Sequence, residues 1–288
     1  MTGHTLRSAI ILLIVGNALA VLSDVVIKIM GAGVPVFQFM FLRTVLTVGV
    51  LLPFSRHFSW RSLPQGFGIH LIRAALSLLG VFCMVIALTT LPLATANAVF
   101  YLAPLLVMLF AWLGFKERLT LLSISAVASG LIGTLVILQP LNFGWGALAA
   151  LGGALSMALN SVLVRLLPDN QTSVQQLLIN ALLMLPLSAI FFGIEWQLTA
   201  PGFRPDLAIF ALTSGVLIIC YNWTVLLAYR HVAANAVTSA EYTGLIWAIL
   251  IGWLAFAETP GLGFLLGSAM IVVPLVALSF RQHKYQPY

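Results

Sequence analysis

Four ionisable residues stand inside long apolar runs, and their chemistry depends on what each one faces. Asp24, Lys28, Arg43 and Glu241 carry formal charges that sum to zero. A charge at the centre of a spanning helix costs about 2.5–3.5 kcal/mol on insertion scales, so each should face a cavity or a partner. Asp24 and Lys28 share one helix face and can pair, and Asn17 extends the same stripe. Asp24 and Arg43 fall at comparable depths. An Asp24–Lys28 or Asp24–Arg43 ion pair is one reading; substrate contact or gating by these residues is the other. Glu241 has no basic residue close in sequence. It reads as a site for a substrate ammonium group, as a proton carrier, or as a satisfied structural carboxyl.

Neutral polar residues fall at the same depth. Asn97 and Tyr101 lie one turn apart on the fourth apolar run, as do Ser156 and Asn160 on the sixth. Tyr221, Asn222 and Trp223 cluster in the eighth, and Ser77 stands in the third. Singly, such groups more often bond neighbouring helices. Taken together, Ser77, Asn97, Tyr101, Ser156, Asn160, Tyr221, Trp223, Glu241 and Tyr242 form the candidate substrate shell. Amides, phenols and one carboxylate suit a zwitterion with an apolar or aromatic side chain. A multiply charged phosphate would want several Arg or Lys at mid-depth. Pro104, beside Tyr101, is the candidate hinge.

Enzyme chemistry has little to work with. His57, His70 and His231 lie near one face, where they could join Glu117 in acid–base work. No His-x-x-x-Asp, Ser/His/Asp or metal-ligand spacing accompanies them, so no catalytic residue, metal or cofactor is assigned. No P-loop is present, which excludes ATP-driven pumping by this chain. Cys83 and Cys220 fall in apolar runs and read as small packing residues.

The elements that must position these groups are membrane helices. The chain is 61% hydrophobic and 7% charged, against about 25% charged in soluble proteins. Runs and breakers give ten spans, near 8–29, 35–54, 70–89, 92–114, 120–138, 145–166, 174–194, 207–229, 233–256 and 260–280. Continuous apolar runs exclude an outer-membrane barrel. With the N-terminus in the cytoplasm, that side receives ten Lys and Arg, and the opposite side only Lys28 and Arg204. The positive-inside rule therefore puts both termini of this multi-pass chain in the cytoplasm. The +6 net charge is spread over helix ends, so nucleic acid is not an expected partner.

One segment occurs twice, 141 positions apart. Tyr101–Glu117 reads YLAPLLVMLFAWLGFKE and Tyr242–Glu258 reads YTGLIWAILIGWLAFAE. Tyr101/Tyr242, Leu109/Leu250, Trp112/Trp253, Leu113/Leu254, Phe115/Phe256 and Glu117/Glu258 are identical, where chance gives roughly one or two matches. The halves are 1–138 and 139–288, together one transport domain. Five helices per half makes the second repeat inverted, and two such halves around a midplane site are the usual basis of alternating access. Ala126-x-x-x-Gly130 and Gly263-x-x-x-Gly267 permit close helix contact. Packing inside a monomer is favoured over a homodimer.

LATANAVFYLAPLLVMLFAWLGFKERLT, at Leu93–Thr120, resembles the signature of the EamA branch of the drug/metabolite transporter superfamily. ANAVTSAEYTGLIWAILIGWLAFAET follows the same pattern, and Arg43 in FQFMFLRTVL resembles the arginine common in that family's second helix. Two departures are mild: the usual Glu-Pro is Ala103-Pro104 in one copy and Gly244-Leu245 in the other. Within the superfamily the chain is similar to amino-acid exporters of the YddG type. The resemblance implies a bacterial inner-membrane exporter with a cavity among helices 1, 3, 4, 6, 8 and 9. A drug, lipid or other metabolite carrier of the same superfamily, a membrane enzyme and a channel are the alternatives. Proton coupling through Glu241 and uniport are the two readings of the driving force.

Overall fold

The computed structural model describes residues 6–57, 65–116, 120–138, 144–168, 170–200, 202, 204–229, 240 and 242–285. Its helices are α1 (Leu6–Met30), α2 (Val36–Leu51), α3 (Phe67–Thr90), α4 (Leu93–Phe100), α5 (Ala103–Phe115) and α6 (Leu121–Leu138). After these come α7 (Trp145–Val164), α8 (Ser173–Thr199), α9 (Asp206–Tyr229), α10 (Thr243–Phe256) and α11 (Leu262–Tyr285). Helices α4 and α5 make up a single span, Leu93–Phe115. Seven spans are long, and Val36–Leu51, Thr243–Phe256 and Leu262–Leu278 are shorter apolar helices, giving ten among the described residues. Large side chains such as Ile29, Leu113, Leu198 and Leu254 cover the outside, as a lipid-facing surface requires.

The fourth span differs from its sequence reading as one helix over 92–114. It breaks at Tyr101-Leu102, three residues before Pro104. The proline ring cannot tolerate the carbonyl four residues back, that of Phe100, and has no N–H to offer it. The chain tightens there, with Leu102 N–H donating to the Val99 carbonyl at 3.0 Å. Pro104 then falls in the first turn of α5, where a missing N–H costs nothing. By contrast, α8 runs uninterrupted through Pro186.

The packing is that of two inverted halves wound through each other. Helix α1 lies along α9 as α3 lies along α7; α2 faces α8, and α6 faces α11. Each of these pairs joins one half to the other, and exchanging the halves returns the same set. The copies even adopt the same backbone strain. Lys116 and Ala257, 141 apart in sequence, end α5 and α10 with left-handed dihedrals of φ 55°, ψ 30° and φ 55°, ψ 28°. Small residues bring the helices close. A Cβ at Gly133 would lie 2.6 Å from the Gly267 carbonyl oxygen, and one at Gly267 would lie 2.4 Å from that of Gly133. Ser129, beside them, donates to the carbonyl of its own equivalent, Met270, at 2.8 Å. Of the small residues singled out in sequence, Gly267 serves this inter-repeat contact. Gly130 instead meets Leu105 within its own half.

Candidate functional site

Helices α2, α3, α8 and α9 enclose a cavity of about 860 Å³. Its lining runs Met40–Leu51 on α2, Arg73–Val81 on α3, Val174–Met184 on α8 and Ile218–Leu226 on α9. Successive spans alternate in direction, so all four stretches belong to the half of the bundle nearest the face where α1 begins. The lining reaches the helix ends there, at Leu51 and Val174, and the cavity opens to that face.

A polar network forms one wall. Arg73 Nε donates to Asn160 Oδ1 at 3.0 Å, and Asn160 Nδ2 donates to Ser77 Oγ at 2.6 Å and to the Arg73 carbonyl at 3.1 Å. Asn180 Nδ2 from α8 donates to the same Ser77 hydroxyl at 3.0 Å. Ser77, Trp223 and Arg43 line the cavity itself. Asn160 stands behind Ser77, and Ser156 packs against Gly80 of α3 with a Cβ–Cβ approach of 3.3 Å were Gly80 given one. Two members escaped the sequence reading. Arg73 is one of the ten Lys and Arg that the sequence puts on the cytoplasmic side, yet it is buried, and Asn180 is a lone amide in an apolar run. Its isolation was the available signal.

The rest of the candidate shell lies elsewhere. Tyr101 and Tyr242 meet in the packed centre, their rings tilted and their centroids 5.8 Å apart. Asn97, buried on α4, donates to the Leu93 carbonyl at 3.2 Å and hydrogen-bonds Asp24, which also feels the charge of Arg43. Asn17 Nδ2 donates to the Ala240 carbonyl at 3.0 Å and to Thr243 Oγ1 at 3.1 Å. Tyr221 faces Gly16 of α1 rather than the cavity. The single shell drawn from sequence is therefore two polar layers, one lining the cavity and one packed between α1, α4 and α10. Asp24 and Arg43 join them. Glu241 lies outside the described residues.

At the opposite face a smaller cavity of about 410 Å³, lined by Pro92, Ile137 and Phe264, lies beside an ion pair that joins the halves. Lys28 Nζ reaches Glu258 Oε1 at 3.0 Å, not Asp24, and also donates to the Leu91 carbonyl at 2.7 Å. Lys28 sits 5.3 Å from the centroid of the Phe256 ring. Glu258 Oε2 accepts from Leu93 N–H at 2.7 Å, at the start of α4. Glu195 from the end of α8 does the same for α2, accepting from Phe37 N–H at 3.2 Å and Gln38 N–H at 2.9 Å. Both helices begin after a proline, Pro35 or Pro92, that cannot cap with its side chain. A carboxylate from the other half satisfies the exposed N–H groups and the helix dipole instead. Above the cavity, Phe37 stacks on Phe82 at 5.0 Å and on Phe191 at 5.2 Å, filling the same helices' other half.

Ten apolar spans in two inverted halves around a central cavity are the architecture of a multi-pass membrane transporter. The chain belongs to the EamA-like transporter family of the drug/metabolite transporter superfamily, matching it over residues 7–139 and again over 144–280. It is 25% identical to a riboflavin transporter of Vibrio cholerae over 96% of this chain and 94% of that protein. It is 24% identical to the pseudopaline exporter CntI of Pseudomonas aeruginosa, over 95% and 96% of the respective chains. A solved crystal structure, 24% identical, aligns over 98% of this chain and 97% of that one with a TM-score of 0.57, and shares the fold.

Proposed function

We propose that this chain is a secondary transporter that carries small organic metabolites out across the cytoplasmic membrane by alternating access. The observation that supports this most is the asymmetry of the bundle. The larger cavity opens at the face to which Lys and Arg counts assign the cytoplasm, whereas towards the other face an ion pair and an aromatic stack join the helices and the cavity there is about half the size. That is one of the two states an inverted-repeat carrier needs, and exchanging the roles of the halves generates the other. The break at Tyr101-Leu102 lies beside the axis, where small rotations of α4 against α5 would couple the two faces. The chain acts as a monomer in the inner membrane, with 1–138 and 139–288 as its two rocking halves.

Neutral and aromatic amino acids are the first substrate class, because amides, hydroxyls and a guanidinium suit an α-carboxylate beside an apolar side chain. The relatives named for riboflavin and pseudopaline make larger metabolites the second. Counterflow in liposomes reconstituted with purified protein tests both, using labelled Phe, Met, Thr and riboflavin. Saturable exchange of any member establishes the carrier and ranks the classes. Folded, inserted protein with no flux above empty vesicles overturns the reading for these solutes. Proton coupling is assigned to Glu241: in Glu241→Gln flux should persist and lose its pH dependence, and an unchanged pH profile removes that role.

A further inference from the structure

We propose that the cavity selects organic anions, holding a carboxylate of the solute between Arg43 and Arg73. This deepens the transport reading and rests on it. Both arginines line the cavity, and they are 8% and 7% exposed. Each keeps an Nη1 atom that is buried and without a hydrogen-bond partner among the described residues. A buried guanidinium with an unfilled hydrogen-bonding position is costly, and these two side chains are the cations of the cavity's lining, so an acceptor carried by the solute would be favoured beside them. A carboxylate is the acceptor that the planar fork of arginine matches best, often through two parallel hydrogen bonds.

The positions suit a shared ligand. Counting about 1.5 Å per residue from the open face puts Arg43 roughly 12 Å deep along α2 and Arg73 roughly 9 Å deep along α3. Arg73 is fixed at its Nε by Asn160 Oδ1 at 3.0 Å, which holds the guanidinium in the cavity's wall. No Asp or Glu occurs among the described lining residues. The other polar lining residues, Ser77, Gln176, Asn180, Asn222 and three threonines, are neutral. Asp24 offsets part of the Arg43 charge from behind, through α1, and itself bonds Asn97. The two guanidinium groups therefore dominate the cavity's field. Its other walls, Met40, Val81, Met184, Ile219 and Trp223 among them, are apolar and call for a hydrocarbon or aromatic body. At about 860 Å³ the cavity is at the upper end of small-molecule sites and admits solutes well beyond a single amino acid.

A matched quartet separates charge from shape: phenylalanine, N-acetylphenylalanine, phenylalanine amide and N-acetylphenylalanine amide. Their binding is read from ligand-induced thermal shifts of the purified full chain, and their transport from competition with counterflow in liposomes. The two carboxylates should bind at least about tenfold more tightly than the two amides, with the N-acetylated acid, a net anion, the tightest. In Arg73→Gln that advantage should fall about tenfold while N-acetylphenylalanine amide binds as before; Arg73→Lys should restore part of it. Arg43→Gln should act alike, and should it fail to fold with Asp24 left unpaired, Arg73→Gln alone decides. Equal binding of acids and amides overturns the proposal, as does equal weakening of both by Arg73→Gln. Transport without carboxylate preference removes anion selection and leaves the carrier standing. Failure of all four to bind overturns the proposal, and riboflavin counterflow in the same vesicles then shows whether the transport reading survives.

Discussion

Tyr101 and Tyr242 are the same residue of two ancestral copies, and their rings meet 5.8 Å apart at 53° across the line that relates the halves. A duplicated residue can touch its own copy only on that axis, so this pair marks it. Ser129 and Met270, also 141 apart, mark it a second time. Tyr101 packs so close to α10 that a Cβ on Gly244 would lie 2.3 Å from its hydroxyl. Gly244→Ala must therefore displace the Tyr101 ring and disturb its contact with Tyr242, while the better helix propensity of Ala returns about 1 kcal/mol. The variant should fold with little change in melting temperature and lose most of its transport rate. Gly114→Ala, with nothing within 4 Å, is the control and should transport normally. Equal rates in both variants would deny the axial tyrosines a part in the transition.

The Lys28–Glu258 ion pair should fail unequally from its two ends. Lys28→Met leaves the Glu258 carboxylate with the Leu93 N–H alone, in a site where both side chains are less than one-fifth exposed. A loss of about 2–4 kcal/mol is expected. Glu258→Gln keeps an acceptor for Leu93, and Lys28 keeps the Leu88 and Leu91 carbonyls, so about 1 kcal/mol is expected. Chemical or thermal unfolding in detergent checks the order, and a reversal would show that the pair does not hold the two halves together at that face.

Two glycines at the α6–α11 crossing leave no room for a side chain. Gly133→Ala or Gly267→Ala drives a methyl into a carbonyl oxygen of the facing backbone, and neither partner is a flexible side chain. Overpacking costs about 1–3 kcal/mol or more here. Each should lower the yield of monodisperse protein, whereas Gly68→Ala, in open space on α3, should not. Size-exclusion profiles after mild heating measure this.

Cys220 offers a direct view of the cavity's opening. It lines the cavity and is exposed, whereas Cys83, the chain's other cysteine, is half-buried against α7. In a Cys83→Ala background an impermeant maleimide should label Cys220 from the face where the N-terminus lies. Saturating substrate should slow that labelling several-fold. Labelling confined to the opposite face would reverse the assignment of the open side.

How much of this was legible beforehand differs from residue to residue. The break near Pro104 follows from one missing N–H, and the equivalence of Tyr101 and Tyr242 from identical spacing. Arg73 and Asn180 were harder, because burial depends on the helix opposite. Arg73 looks like an interfacial charge until α7 covers it with Asn160. Lys28 illustrates the limit most clearly. Asp24, four residues away, was its nearest partner in sequence, yet Glu258, 230 residues away, holds it.

By itself the sequence determined that this chain spans a membrane ten times in two inverted halves. Apolar run length and the count of helices per repeat are local properties that add along the chain. Only the tertiary structure decided which polar groups share a space. Each helix turns one face to a neighbour from the other half, and no spacing within a helix states which residue that neighbour will present. Hence one inferred shell became a cavity lined by Arg43, Arg73 and Ser77 and a separate packed layer around Asn97, Tyr101 and Tyr242.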